Sequence, residues 1–361
     1  MKNKNVFMIL SNGFNPDIRV FKEAKYLVGL GYNVTILCWD RRLEFSDRKQ
    51  DIIDGVNIER FEIESVPGSG FKQIIPFMKF LFSVKKYLKN KDYEYLHCHD
   101  FDGILIGMFT KNKKNKKIIF DMHEIYKHYA YAKNFLFDKI FKRIIKKSDY
   151  IVYVNDEQIK DFDNIDKLVY LPNYPEKSVY LPIEKNNDSP KNIRYIGSLR
   201  DYDALKTLAD ISKLRDDLNI GLYGNGISYE RLKEDYKNTS VDVHGKYDGI
   251  KEIGEIYRNT DILYCVYNPE VENWRIAYPT KLFEAIVTKT PIIVSEGSVA
   301  SEFVNKYKIG VSCKYNNVED LNKKIQEIID NYHVYINQLD KISDKYAWDN
   351  AVISLKKIYK D

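Results

Sequence analysis

The chain is short of cysteine, of long apolar runs and of charge of one sign, and each shortage removes a class of protein. Among 361 residues there are four cysteines, Cys38, Cys98, Cys265 and Cys313, each alone in an apolar run. With no C-x-x-C pair they form neither a disulfide framework nor a thiolate zinc site, and they read as reduced core thiols of a cytoplasmic protein. No stretch reaches the roughly 18 apolar residues of a membrane span. The opening MKNKNVFMILSNG has too short an apolar run for a signal peptide and is expected to begin a strand. The net charge is a mild +5, and no nucleic-acid partner is expected.

What is present is a globular composition, 44% hydrophobic and 30% charged, long enough for two domains. The positive charge is uneven. Residues 1–172 carry 30 Lys and Arg against 23 Asp and Glu, whereas the remainder carries 27 against 29. Two stretches, FKQIIPFMKFLFSVKKYLKN (71–90) and FLFDKIFKRIIKKS (135–148), mix Phe, Ile and Leu with Lys and Arg at helical spacing. Such helices suit peripheral contact with an anionic membrane surface, here the inner face; they equally suit ordinary helices that cover a sheet with a basic side in water.

Strand-like runs alternate with helical ones throughout. Strands are expected at 5–10, 33–38, 93–98, 117–121, 150–154 and 167–171, with helices at 17–30, 71–90, 101–111 and 135–148. The Pro-, Asn- and Lys-rich segment 173–192 reads as a linker. The alternation then restarts with strands at 193–197, 218–223, 240–244, 261–266, 291–295 and 309–313. Two βαβ series predict an α/β protein of two doubly wound, Rossmann-like domains facing across a cleft. The domains are 1–172 and 193–343, with 344–361 a C-terminal helix packing back toward the first. Ligands of such sheets bind beyond the carboxyl ends of the strands. That is where SNGFNPDIR, HCHDFDG and DMHEIY fall in the first half, and GSLRDY, YGNG and NPEVENWRIAYPTK in the second.

These segments, in this order, resemble the GT-B glycosyltransferases, and glycosyltransferase family 4 most of all. NPDIRVFKEAKYLVGLGYNVTILC is similar to the family's opening loop, helix and second strand, and LPNYPE to its interdomain crossover. YIGSLRDYDALKTL is similar to the start of its donor domain, and YPTKLFEAIVTKTPIIVS, the most specific match, to its donor-site helix. The resemblance implies a retaining, metal-independent transferase. It would use a UDP- or GDP-linked sugar and serve a glycan or lipid-linked acceptor in cell-surface polysaccharide or glycoconjugate synthesis, with no cofactor.

Site residues follow from the resemblance together with residue chemistry. Glu284, a pure acceptor, would take the ribose hydroxyls. Lys281 and the helix-start amides near Tyr278 and Thr280 would hold the diphosphate, with Arg200 as its planar, permanently charged partner. As surface residues, Lys281 and Glu284 would instead be an i, i+3 pair worth a few tenths of a kcal/mol. Gly197 and Gly224 would admit the nucleotide to the backbone. His123 would stabilise the reacting centre, and Gly13, Asp17, Arg19, His99 and Glu124 would contact the acceptor; Asp17 also reads as a helix cap. The sequence departs from the family at Ile276, where the family has the first glutamate of an E-x7-E pair, so Glu272 or Asn273 is the expected stand-in. His97, Cys98, His99, Asp100 and Asp102 raise the question of a metal. Period-two alternation sends His97 and His99 to one face and Cys98 to the other, too few ligands to converge, so no metal is expected. Two alternatives to a transferase stay open: a nucleotide-sugar 2-epimerase of the same fold, and a non-catalytic nucleotide-binding partner subunit.

Overall fold

The computed structural model describes residues 4–15, 17–66, 70–110, 116–124, 126, 135–160, 162, 165–180, 189–249 and 251–359. It divides into two compact units, residues 1–172 with 352–361, and residues 173–351. Of the expected linker, 181–188 lie outside the described residues.

The first unit is built on β1 (Asn5–Leu10), β2 (Asn33–Asp40), β3 (Gln50–Ile53), β4 (Val56–Glu62), β5 (Tyr95–His99), β6 (Lys117–Met122), β7 (Tyr150–Tyr153) and β8 (Leu168–Tyr170). Their order in the sheet is β3-β4-β2-β1-β5-β6-β7-β8, parallel except for β3, which runs antiparallel to β4. The central strands read as near-continuous apolar runs because helices cover both faces of such a sheet. Helix α1 (Ile18–Gly29) begins at Asp17, whose side chain accepts from Val20 N. Helices α2 (Ile74–Leu88), α3 (Asp100–Thr110) and α4 (Phe135–Lys147) follow. Phe80, Leu81 and Val84 of α2 join Ile104 and Ile106 of α3 and Ile144 of α4 in one core with Phe7, Leu37 and Phe120 of the sheet.

The β3–β4 hairpin was not expected from the apolar runs, although Asp54-Gly55 turns it with φ of 49° and 80°, the pairing that a two-residue hairpin favours. β3 is short and half-exposed and β4 alternates buried with partly buried residues, so neither has the continuous buried run by which the other strands were found.

The second unit contains β9 (Asn192–Ile196), β10 (Asn219–Tyr223), β11 (Asp242–Gly245), β12 (Ile262–Cys265), β13 (Ile292–Ser295) and β14 (Gly310–Cys313), all parallel, in the order β11-β10-β9-β12-β13-β14. The chain reverses direction across the sheet between β1 and β5 in the first unit and between β9 and β12 in the second. Crevices open at such switch points, outside the carboxyl ends of the strands. At the C-terminus, a short helix Trp348–Ala351 belongs to the second unit and the 3-10 turn Val352–Lys357 to the first. All four cysteines are free and buried.

Candidate functional site

Each switch point holds a cavity. In the second unit it measures about 310 Å³ and is lined by Ser198 and Arg200 after β9, Tyr267 after β12, Asn273 and Trp274, and the helix-start residues Thr280, Lys281 and Ser298. Two helices, Thr280–Val287 and Val299–Tyr307, thus begin at its wall. Helix amino ends favour an anion there. Lys281 Nζ donates to Tyr267 Oη at 2.6 Å and lies 4.6 Å from the centre of the Tyr195 ring. Arg200 is exposed, with its Nε on Ser198 Oγ at 2.9 Å. The rim is laced by Asp201, which caps the helix Tyr202–Ala209 and also accepts from Asn268 N at 3.0 Å and Tyr315 Oη at 2.9 Å. Ser295 Oγ bridges β13 to β12 through Tyr267 N (2.7 Å) and Tyr267 O (2.6 Å).

Of the expected donor residues, Arg200, Lys281, Thr280 and Asn273 line this cavity; Gly197, Gly224, Tyr278 and Glu284 do not. The two glycines make its wall possible. A Cβ on Gly197 would fall 2.7 Å from Lys281 Nζ, and one on Gly224 (φ +138°) would fall 1.8 Å from Gly197 O. Glu284 sits one turn beyond Lys281, where Tyr257 Oη donates to it at 2.6 Å and Tyr180 also bonds it. Burial and then this carboxylate push both phenols well above their ordinary pKa, so both remain donors. Ile276 does not line the cavity; Asn273 and Trp274, on the same short helix Glu272–Ile276, do. Tyr195, Tyr267, Ser295, Ser298 and Trp274 were missed from the sequence. Their only signal there was a place at a strand end or helix start.

The first unit's cavity, about 550 Å³, is lined by Asn12, Gly13 and Asp17 after β1, Asp40 and Arg41 at the end of β2, and Asp102 on α3. Of the expected acceptor residues, Gly13 and Asp17 line this cavity, and Arg19, His99 and Glu124 do not. Glu124 is exposed, and its side chain does not line this cavity. Arg19 and His99 are corrections, since both are buried beneath the strand ends. Arg19 spends its guanidinium on Asp121 (Nη2–Oδ1 2.8 Å, Nε–Oδ2 3.3 Å) and Leu171 O (3.0 Å), with Glu23 Oε1 3.2 Å from Nε. His99 Nδ1 lies 3.1 Å from Asp121 Oδ2. His97 stacks on His99 at 4.6 Å and pairs through Nδ1 with Tyr359 Oη at 2.8 Å.

The count of convergent groups made along one strand was too low, because α1 and β6 add their own. Glu23, His97, His99 and Asp121 bring one donor atom each within 4.8 Å of one another. We assign no metal to them, because Arg19 already supplies the positive charge that both carboxylates face. Burial alone would raise Asp121, yet Arg19 and His123 outweigh it and hold its carboxyl well below the usual range. Burial, with Asp121 adding, pushes Glu23 well above that range, and burial pulls His97 and His99 down. Burial thus works against charge on Glu23 and on both imidazoles, while Arg19 favours the ionised form of Asp121.

Residues 18–173 match the family model of glycosyltransferase family 4, and residues 179–346 that of glycosyl transferases group 1. The chain is a family 4-like glycosyltransferase of the GT-B fold. An uncharacterized glycosyltransferase of Haemophilus influenzae is 22% identical to it over 255 residues, 65% of this chain and 69% of that one. Among solved structures, this glycosyltransferase resembles sucrose-phosphate synthase from Thermosynechococcus elongatus, with a TM-score of 0.76 and 14% identity over 99% of this chain and 98% of that one. It also resembles Anabaena Alr3699/HepE in complex with UDP-glucose, with a TM-score of 0.70 and 11% identity over 98% of each chain. At these identities the structural likenesses show the fold alone. Among the described residues of the transferase, no helix is long and apolar enough to cross a membrane.

Proposed function

We propose that this glycosyltransferase moves a sugar from a nucleoside-diphosphate donor, held by the second unit, to a glycan or lipid-linked acceptor held by the first. The transfer proceeds with retention and without a metal, and serves surface glycan synthesis. The observation that carries the donor reading is the meeting of Arg200, Lys281 and two helix amino ends around one cavity. Four sources of positive potential there suit a leaving diphosphate, whose charge they would stabilise as it develops. UDP-glucose bound to the HepE fold relative supports the same class of donor. Glu284 takes the ribose hydroxyls with the carboxylate capacity that Tyr257 and Tyr180 leave free. Asn273 and Trp274 meet the sugar in place of the family's missing glutamate.

The test is incubation with UDP- and GDP-linked hexoses and a lipid-linked glycan, with the products followed by NMR. Released nucleotide and a new glycoside of the donor's own anomeric configuration is the expected result. A changed sugar still on its nucleotide would instead make the protein a 2-epimerase, and binding without turnover of any donor would make it a non-catalytic partner.

We further propose peripheral contact with an anionic membrane on the cytoplasmic side, through neighbouring helices α2, α3 and α4. Phe71, 91% exposed, Ile74, Ile75, Met78 and Phe82 lie uncovered on the α2 segment, Phe109 on α3, and Phe135 and Ile140 on α4. Exposed Lys72, Lys79, Lys85 and Lys86 flank the first group, and Lys139, Lys142 and Arg143 the last. Each cation near an anionic surface contributes about 1 kcal/mol. Co-sedimentation should therefore show binding to vesicles with anionic lipid, several-fold weaker in Phe71→Ser/Ile75→Ser. Equal recovery with neutral and anionic vesicles would sink this reading.

A further inference from the structure

His123 stands just past the end of β6 with a carboxylate on each ring nitrogen. Nε2 is 2.8 Å from Asp121 Oδ2, and Nδ1 is 3.3 Å from Asp100 Oδ2. A neutral imidazole has one N–H and one lone pair, so it would set that lone pair against one of these oxygens. Only the imidazolium donates to both. Each carboxylate is braced by further donors. Asp121 receives Arg19 at both oxygens, and Asp100 Oδ1 receives Tyr126 Oη at 2.8 Å and His123 N at 3.4 Å.

We propose that His123 serves the transfer as an imidazolium at neutral pH, with no lone pair to act as a base, and that Asp121, braced by Arg19, and Asp100 are the positioning residues that keep it so. The part played in transfer rests on the function proposed above; the charge state does not.

The ring sits among charges of both signs. Around His123 stand Asp121 from its own strand, Asp100 and His99 from the junction of β5 and α3, Arg19 and Glu23 from α1, and Tyr126. Burial disfavours the charged ring, but Asp121 and Asp100 outweigh it and raise His123 well above the usual histidine range. The charges then alternate as Arg19⁺, Asp121⁻, His123⁺ and Asp100⁻ and sum to zero, which lets the group persist with the side chain of His123 only 16% exposed. Because its native pKa is raised, the stability contributed by His123 is complete below about pH 6.5 and is lost as the pH rises through the raised value.

The experiment is ¹⁵N imidazole NMR on the full chain, assigned with His123→Gln and titrated from neutral to alkaline pH. Both ring nitrogens should remain N–H well beyond the ordinary midpoint of about 6.5. Asp100→Asn is the informative variant. Residue 100 has a φ of 59°, which asparagine adopts readily, so the backbone survives the exchange. The variant should lower the His123 midpoint by about one unit or more and shift the alkaline limb of kcat/KM by the same amount. A single N–H on wild-type His123 at neutral pH, or a midpoint unmoved by Asp100→Asn, would overturn the proposal. The spectrum needs no donor or acceptor, so failure of the protein to turn over any sugar would count against the transferase chemistry and leave the charge state read independently.

Discussion

Lys281→Met is expected to weaken binding of nucleoside diphosphate by roughly ten- to a hundredfold and to lower kcat/KM for transfer by about 10²–10³. The lysine ammonium is held at the cavity wall by Tyr267 Oη and the Tyr195 ring, and it fills the space left by the missing side chain of Gly197. An ammonium fixed in that way reaches the diphosphate without the reorganisation a free surface lysine would need. A charge-assisted bond to phosphate is worth about 1.5–3 kcal/mol, whereas a surface i, i+3 pair is worth a few tenths, so the two readings of Lys281 differ by an order of magnitude in what they predict. Methionine keeps most of the stem and removes only the charge. Arg200→Ala should cost about tenfold, since Arg200 is exposed and, among the described residues, is held by Ser198. Calorimetric titration of UDP and GDP into wild type and both variants decides the matter. Unchanged affinity in Lys281→Met would place the diphosphate elsewhere.

The second large effect is on stability. Arg19→Met should destabilise the first unit by roughly 3–5 kcal/mol, because it leaves the Asp121 carboxylate buried without its main counter-charge and Leu171 O without a donor. In a unit of this size that corresponds to a fall in Tm of roughly 10 °C. Asp121→Asn removes the charge from the other side, and the double variant should cost clearly less than the sum of the two, since each removes the same pairing. Thermal unfolding followed by circular dichroism measures all three. A Tm for Arg19→Met within a degree or two of wild type would show that Asp121 is not left as an uncompensated buried charge.

Most of the twelve expected strands and the four long helices of the first half were legible in the sequence because burial on both faces writes a continuous apolar run and a helix writes a period; β11, a half-exposed edge strand, is the exception. The β3–β4 hairpin escaped because β3 is a short, half-exposed edge strand and β4 alternates apolar with polar residues instead of writing a continuous apolar run, which left the Asp54-Gly55 turn as a local trace. In the second unit's cavity, Lys281 and Arg200 were singled out by the family resemblance, and chain order puts them within a few residues of a helix start and a strand end. Tyr267, which orients Lys281, and Tyr257, which bonds Glu284, lie 14 and 27 residues from their partners. Nothing local marks a tyrosine for such a task.

The first unit shows the division most clearly. From the sequence alone, Arg19 and His99 are polar residues at a helix start and a strand end, and polarity there suggests contact with a ligand. Arg19 instead turns inward to Asp121, 102 positions away, and His97 meets Tyr359 across 262 positions. Burying an arginine is unfavourable until a carboxylate and a carbonyl are waiting for it, and those partners come from β6 and the segment after β8. Composition and periodicity therefore determined the parallel strands of both sheets, their carboxyl ends and the helix starts that follow them, because each depends on neighbours in the chain. Which charged groups face a substrate and which neutralise one another was decided only when distant strands brought their partners together.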